Sequence, residues 1–239
     1  MSPEDSHPTD STIAQRLAAI SHRIVVACES CGRDADQVTL VGVSKRQPLD
    51  RMRDAYAAGL RTFGENQIQE GVAKCSELPA DVDWHFIGHL QSNKAKAAAR
   101  HFDTIHSIDR LKIAQRLDRE ATLLGRRLRV FLQVNIGREP SKSGFDPDDF
   151  VETATPLAEL EHLEVLGLMA LPPYEDDPEE ARGWFRRLRR LRDQLLEQPG
   201  WAGCPGQLSM GMSHDFELAI EEGATHVRVG TSIFGRRAS

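Results

Sequence analysis

Lys45 occupies the position in this sequence that most strongly suggests chemistry. It follows the apolar run 38–44 and precedes Arg-Gln-Pro, so its amine lies at the carboxyl end of a predicted buried strand. Lysine forms Schiff bases with carbonyl compounds, because desolvation can lower its pKa and leave a nucleophilic amine. The alternative is a lysine whose side chain extends from the strand end into solvent and has no chemical role.

A second group of residues, near the C-terminus, suggests a phosphate-binding site. The segment Met210-Gly-Met-Ser213 leads into a short predicted helix that Ser213 can cap, and Val227-Arg-Val-Gly-Thr231 follows on the next strand. Arg228 offers a cation, while glycine amides and helix N-termini bind phosphate through unpaired N–H groups. The alternative is that Ser213 only caps its helix and Gly230 only turns the chain.

An amine for a Schiff base and a phosphate site together suggest a phosphorylated aldehyde as the ligand. Pyridoxal 5′-phosphate fits, because its aldehyde can react with the lysine while its phosphate occupies the second site. Sugar-phosphate aldolases use the same two parts, and these residues leave both interpretations open.

The elements that must position these residues alternate regularly along the chain. A helix is predicted from Ile13 to Gly32, and eight strand-like runs alternate with helical stretches after it. The predicted strands are 38–44, 61–64, 84–88, 104–108, 128–135, 165–170, 207–210 and 226–229. The predicted helices between them are 49–58, 66–78, 92–99, 111–124, 148–160, 179–197 and 213–222.

Eight strand–helix units in about 200 residues predict an α/β fold, a closed (β/α)8 TIM barrel with an extra N-terminal helix. In this fold the functional residues lie at the carboxyl ends of the strands, which is where Lys45 and the predicted phosphate site are. An open doubly wound sheet is the alternative. No Gly-x-Gly-x-x-Gly motif follows the first strand, which counts against its dinucleotide-binding form.

Composition and charge exclude several classes of partner. The chain has 239 residues, 28% of them charged, and a net charge of −6, which gives no general attraction to nucleic acid or anionic membranes. The arginine-rich stretch 182–192 is therefore interpreted as the solvated side of a helix rather than a nucleic-acid surface. No stretch reaches the roughly 20 apolar residues that span a bilayer. We expect no nucleic-acid and no membrane partner.

The start of the chain and its cysteines add two further expectations. The first ten residues are polar and acidic and lack the regions of a signal peptide. We therefore expect a disordered lead-in over 1–10, one domain over 11–239 and a cytoplasmic location. The lone Cys28-x-x-Cys31 pair has neither the second cysteine pair nor the histidine pair of a zinc site, so we expect no metal site.

Six ordered motifs extend from the first strand to the C-terminus. They are Val43-Ser-Lys45, Phe63-Gly-Glu-Asn-x-x-Gln-Glu70, Trp84-His-Phe-Ile-Gly-His-Leu-Gln-Ser-Asn-Lys94, Gly167-Leu-Met-Ala-Leu-Pro-Pro173, Leu208-Ser-Met-Gly-Met-Ser-x-Asp-Phe-Glu217 and Gly223-Ala-Thr-x-Val-Arg-Val-Gly-Thr-x-Ile-Phe-Gly235. With this set the sequence resembles the pyridoxal phosphate homeostasis protein family. The resemblance covers the chain from about the first helix to its end.

The resemblance implies a fold-type III barrel like the N-terminal domain of alanine racemase, with pyridoxal 5′-phosphate as cofactor. It implies that Lys45 carries the cofactor as an internal aldimine and that Asn66 lies beside the ring. The residues that it implies for the ring-nitrogen side and the phosphate are Ser209, Ser213, Arg228, Gly230 and Thr231. The stretch Ser141-Lys142-Ser-Gly144 also resembles the family pattern. We interpret it as an ordinary surface loop, and a secondary phosphate-binding role is the alternative.

The function that the resemblance implies is intracellular cofactor homeostasis, with the protein as a carrier or buffer that hands pyridoxal phosphate to apoenzymes. Racemases of this class also need a tyrosine from a separate β domain, and this sequence ends just after its eighth strand. Tyr56 lies within a predicted helix, and Tyr174 follows strand six. We therefore expect a monomer without substantial catalysis. A racemase-like enzyme and a cofactor-free Schiff-base aldolase are the alternatives.

Overall fold

Eight parallel strands form a closed barrel in chain order in the computed structural model, which describes residues 12–235. The strands are β1 (Thr39–Val43), β2 (Thr62–Glu65), β3 (Asp83–Phe86), β4 (Thr104–Ile108), β5 (Leu128–Val134), β6 (Leu163–Ala170), β7 (Gln207–Met212) and β8 (His226–Val229). The first and last strands pair in parallel and close the barrel, with Thr39 opposite His226. The predicted (β/α)8 barrel is confirmed, while the predicted lead-in 1–10 lies outside the described residues.

Helices cover the outside of the barrel, and an additional one precedes it. They are α1 (Ile13–Ser30), α2 (Leu49–Ala57), α3 (Ile68–Cys75), α4 (Ala95–His101), α5 (Leu111–Leu124), α6 (Phe150–Ala154), α7 (Pro178–Leu196), α8 (Phe216–Glu221) and α9 (Thr231–Phe234). The extra helix α1 begins with a capping box between Thr12 and Gln15 and packs against α2, α8 and α9. Its buried face, spaced by three and four residues, confirms the periodicity that predicts it.

Three of the predicted helices differ from the observed ones for local reasons. The predicted helix 148–160 is interrupted, and a 3₁₀ turn (Thr155–Glu159) follows α6, because Pro156 has no N–H to continue the α-helical bonds. The predicted start at residue 66 is wrong, since α3 begins at Ile68 after an extended Gln67. The stretch 92–99 begins as a 3₁₀ turn and becomes α-helical only at Ala95.

The predicted cap at Ser213 is wrong. Strand β7 continues to Met212, and the chain then turns before α8 begins at Phe216, with Asp215 as the residue before it. The Asp215 carboxylate accepts a hydrogen bond from the Met212 amide at 2.7 Å, which closes the turn. Ser213 therefore lies within a turn, where its hydroxyl is not used to cap the helix.

The arginines of α7 are compensated by carboxylates of the same chain. Arg182 forms ion pairs with Glu179, Glu221 and Glu222, and Arg186 also pairs with Glu222. These contacts favour the interpretation of this stretch as a solvated helix face. Among residues 12–235, no helix is both long and apolar enough to cross a membrane.

The interior of the barrel is unusually polar. The rings of His85, His106 and His226 lie against one another and against Phe131, with His106 and Phe131 centroids 4.6 Å apart. Arg228 is also buried inside the barrel. The apolar core lies instead between the strands and the surrounding helices. The barrel therefore encloses several titratable groups among its strands.

Candidate functional site

A cavity of about 520 Å³ opens at the carboxyl ends of the strands. Six of the seven predicted site residues line it: Lys45, Asn66, Ser213, Arg228, Gly230 and Thr231. The seventh, Ser209, is fully buried and lies behind Arg228, to which it is hydrogen-bonded. The fold thus brings the predicted amine and the predicted phosphate site to one cavity, although they are far apart in sequence.

The backbone on both sides of Lys45 is fixed by hydrogen bonds from α3. Lys74 Nζ donates to the carbonyl oxygen of Ser44 at 2.8 Å, and the Arg46 amide donates to Glu70 Oε1 at 2.5 Å. Arg46 has a φ of 57°, in the left-handed region that residues with a side chain rarely adopt. The half-buried Lys45 therefore leaves the strand in a direction set by its two neighbours.

A buried ion network of Ser44, Glu65, Glu70 and Lys74, the Lys74 network, lies behind this lysine. Lys74 Nζ contacts Glu65 Oε1 at 2.8 Å and Glu70 Oε1 at 2.7 Å, and Ser44 Oγ donates to Glu65 Oε1 at 2.7 Å. Burial raises the pKa of Glu65, and the hydrogen bonds from Lys74 and Ser44 oppose that rise. The network stabilises the turn from which Lys45 projects.

Asn66 reaches the cavity through a close approach of two loops. A Cβ atom at Gly88 would lie 2.0 Å from the backbone oxygen of Asn66, so only glycine fits at position 88. The side-chain oxygen of Asn66 is buried and has no hydrogen-bond partner among the described residues. Because buried polar atoms are nearly always paired, this oxygen fits a contact with a bound ligand.

Arg228, on the strand next to β1, provides a buried cation at the cavity. Its Nη1 donates to Ser209 Oγ at 2.6 Å and its Nη2 donates to the carbonyl oxygen of Ala170 at 2.9 Å. Burial lowers the pKa of Arg228 to about 10, against the opposing effect of the Asp215 carboxylate, so the guanidinium remains charged at neutral pH. Two of its five donors are used in these bonds, and the residue also lines the cavity.

The far end of the cavity combines hydroxyl groups with backbone amides. Ser213 lies in the turn after β7, and Gly230 precedes the short helix α9, whose first residue is Thr231. The first amides of a helix have no partner within it. These hydroxyl and N–H groups form a set of donors that suits an anion such as a phosphate ester.

Several residues of the cavity wall carry no clear signal in the sequence. Lys142, interpreted above as part of a surface loop, lines the cavity and donates to the carbonyl oxygen of Pro172 at 2.9 Å. Tyr174 and His214 stack at the mouth with ring centroids 5.5 Å apart. The turn that contains His214 could have been found only by recognising Asp215 as the residue that closes it.

The comparisons with known proteins identify the family of this chain. The family model described as alanine racemase, N-terminal domain, matches residues 16–238. The pyridoxal phosphate homeostasis protein of Pseudomonas aeruginosa is 47% identical over 229 residues, covering 95% of this chain and 96% of the relative. That of Aquifex aeolicus is 44% identical over 224 residues, covering 93% and 97%. This chain belongs to the pyridoxal phosphate homeostasis protein family.

Solved structures similar to this member of the pyridoxal phosphate homeostasis protein family include one of high and one of low sequence identity. PipY of Synechococcus elongatus, solved with pyridoxal phosphate bound, is 41% identical and superposes with a TM-score of 0.82, covering 94% of this chain and all of PipY. The alanine racemase of Clostridium difficile has a TM-score of 0.73 at 16% identity, and 57% of that chain is covered. This second likeness concerns the fold alone.

Proposed function

We propose that this chain binds pyridoxal 5′-phosphate in the 520 Å³ cavity and serves intracellular homeostasis of that cofactor. The proposal rests on one observation: Lys45, Asn66 with its unpaired side-chain oxygen, and the buried Arg228 line the same cavity. The cofactor supplies an electrophilic aldehyde and an anionic phosphate ester. The bound pyridoxal phosphate in PipY, a relative that this chain matches along its whole length, supports the proposal.

Each residue then has a role that follows from its chemistry. The Lys45 amine would hold the cofactor by condensing with its aldehyde, with water as the second product. Arg228 can only donate hydrogen bonds, so it suits the ring-nitrogen side of the ligand. Ser213, Gly230 and Thr231 hold the phosphate through their hydroxyl and N–H groups.

The proposed role is that of a carrier or buffer rather than an enzyme. The relatives matched over their full length bear the name of a homeostasis protein, which supports this choice. The cavity also opens to solvent, with Tyr174 at its mouth 74% exposed, which suits uptake and release of a ligand. Transfer to apoenzymes, a monomeric state and a cytoplasmic location belong to the same proposal, and light scattering and cell fractionation test the last two.

A racemase-like activity is the second candidate, because Tyr174 and His214 bring a phenol and an imidazole to the cavity mouth. Chiral chromatography of each L-amino acid incubated with the loaded protein separates the two candidates. The carrier role predicts no D-isomer beyond the amount formed with free pyridoxal phosphate. Rapid formation of the D-isomer, abolished by Tyr174→Phe, contradicts it.

A spectral titration with pyridoxal phosphate tests binding itself. The wild-type protein is expected to develop the absorption band of a C=N bond, and Lys45→Ala is expected to lose this band while it retains weaker, phosphate-held binding. Lys112→Ala, which removes an exposed lysine of α5, is the matched control and is expected to titrate like the wild type. An unchanged band in Lys45→Ala contradicts the assignment of the lysine.

A further inference from the structure

A continuous chain of hydrogen bonds crosses the barrel interior from Asp83, at the start of β3, to Arg228 at the cavity. Asp83 Oδ2 lies 3.1 Å from His85 Nε2, and His85 Nδ1 lies 2.9 Å from His106 Nε2. His106 Nδ1 lies 2.8 Å from Ser209 Oγ, which lies 2.6 Å from Arg228 Nη1. We call these five residues the interior chain.

The chemistry of the two ends favours one position for every hydrogen of the interior chain. Arg228 can only donate hydrogen bonds, so Ser209 Oγ accepts a hydrogen bond from it. The Ser209 hydroxyl then donates its own hydrogen bond to His106 Nδ1. His106 then carries its hydrogen on Nε2 and donates to His85, which carries its hydrogen on Nε2 and donates to Asp83. All four bonds therefore point the same way, from the guanidinium to the carboxylate.

The opposite arrangement, with a doubly protonated His85, is disfavoured by two costs. It would make His106 donate to Ser209 Oγ, and the Ser209 hydroxyl hydrogen would then have no acceptor among its described contacts. It would also place a second buried positive charge near Arg228.

The interior chain gives a buried cation an indirect link to a carboxylate. Among the described residues no carboxylate lies within 4.0 Å of Arg228, although its side chain is buried. Burial by itself would raise the pKa of Asp83, but the hydrogen bonds that its carboxylate accepts from His85 and Arg129 lower it. Burial holds the pKa of the His106 imidazole well below its usual range, so this ring is neutral. The hydrogen bonds between Arg228 and Asp83 therefore pass through neutral groups whose dipoles are aligned.

We propose that Asp83, His85 and His106 are positioning residues for Arg228, acting through Ser209 to fix the orientation of the guanidinium toward the bound ligand. The identity of that ligand rests on the proposed function, whereas the direction of the hydrogen bonds does not. Asp83, His85 and His106 do not line the cavity, so their effect on a ligand would reach it only through Ser209 and the arginine.

Nitrogen-15 NMR of the imidazole rings in cofactor-free protein tests the interior chain on its own. The expected result is that His85 and His106 are both neutral and both carry the hydrogen on Nε2 at neutral pH. A hydrogen on His106 Nδ1, or a doubly protonated His85, overturns the proposal. This measurement is independent of pyridoxal phosphate, so failure of the proposed function, seen as absence of binding by wild-type protein, is a separate result.

A pair of matched variants tests the effect on the ligand. His106→Phe removes two hydrogen bonds of the interior chain. His226→Phe makes the same change in a neighbouring ring, whose hydrogen bond to Thr225 Oγ1 at 3.0 Å lies outside the interior chain. His106→Phe is expected to weaken affinity for pyridoxal phosphate about tenfold and to shift the absorption maximum of the bound form. His226→Phe is expected to change affinity less than about twofold.

His106→Gln supplies the rescue, because an amide can accept from Ser209 and donate to His85. It is expected to keep affinity within about threefold of the wild type. Equal affinity and an equal spectrum for His106→Phe and His226→Phe overturn the proposal. If His106→Phe does not fold, Asp83→Asn removes the terminal charge instead, and an unshifted spectrum of the bound ligand in that variant overturns it equally.

Discussion

Replacing Lys74 with methionine removes the cation that joins the buried Glu65 carboxylate and the partly buried Glu70 carboxylate to the turn before Lys45. The side chain of Lys74 is 9% exposed and that of Glu65 is fully buried, so the pair belongs to the buried class. Removing one partner of such a pair costs about 3 to 5 kcal/mol, because the other charge is left uncompensated. For a protein of this size that corresponds to a fall of about 6 to 20 °C in the melting temperature.

The loss of stability in Lys74→Met should depend on pH in a definite direction. Burial already raises the pKa of Glu65 above its ordinary value of 4.5, and without Lys74 nothing as strong opposes that rise. The folded variant then keeps a proton that the unfolded chain releases above pH 4.5. Its stability therefore falls as the pH rises through this window, so the deficit is smaller at about pH 5.5 than at about pH 8.

Urea denaturation at the two pH values measures this effect. Arg53→Met is the control, because it breaks an exposed ion pair with Asp50 and is expected to cost no more than about 0.5 kcal/mol. The double variant Glu65→Gln, Lys74→Met removes both charges and is expected to recover most of the loss. A deficit no larger than that of Arg53→Met, or one that is equal at both pH values, refutes the assignment of a buried, charge-compensating network.

Two further predictions concern the cavity. Gly88→Ala places a methyl group against the backbone oxygen of Asn66. We expect this change to lower the free energy of unfolding, measured by thermal denaturation, by about 1 to 3 kcal/mol and to weaken ligand affinity. A variant as stable as the wild type would show that the loops have room there. Thr231→Val is expected to lower affinity for pyridoxal phosphate about tenfold, while affinity for pyridoxal, which has no phosphate, changes less than about twofold in parallel dialysis. Equal losses for both ligands would place Thr231 away from the phosphate.

Much of the fold could be predicted from the sequence, because each strand is a short run rich in apolar residues and is followed by a turn. Strands β4 and β8 have the predicted bounds, and the ends of the others differ by at most two residues. The start of α8 could not be predicted in the same way. Ser213 and Asp215 can both cap a helix, and the choice depends on how far β7 continues in the barrel.

The candidate site was predictable where one residue carries the chemistry, as at Lys45 and Arg228. The residues that support them were not, because their partners come from other strands. His85 and His106 are 21 residues apart, and their contact depends on the register of β3 against β4. Lys142 lies at the cavity wall in a loop that the Asn135 side chain helps to hold, through a hydrogen bond to the Lys142 carbonyl oxygen. Such contacts follow from the closed barrel rather than from any local pattern.

Peptide mapping of the borohydride-reduced protein, loaded with pyridoxal phosphate, tests the central proposal most directly. Reduction converts the C=N bond to a stable amine, so mass spectrometry identifies the lysine that formed it. The proposed function predicts the phosphopyridoxyl group on the peptide that contains Lys45. A group found on Lys142 or another lysine instead, or no modified peptide at all, contradicts it.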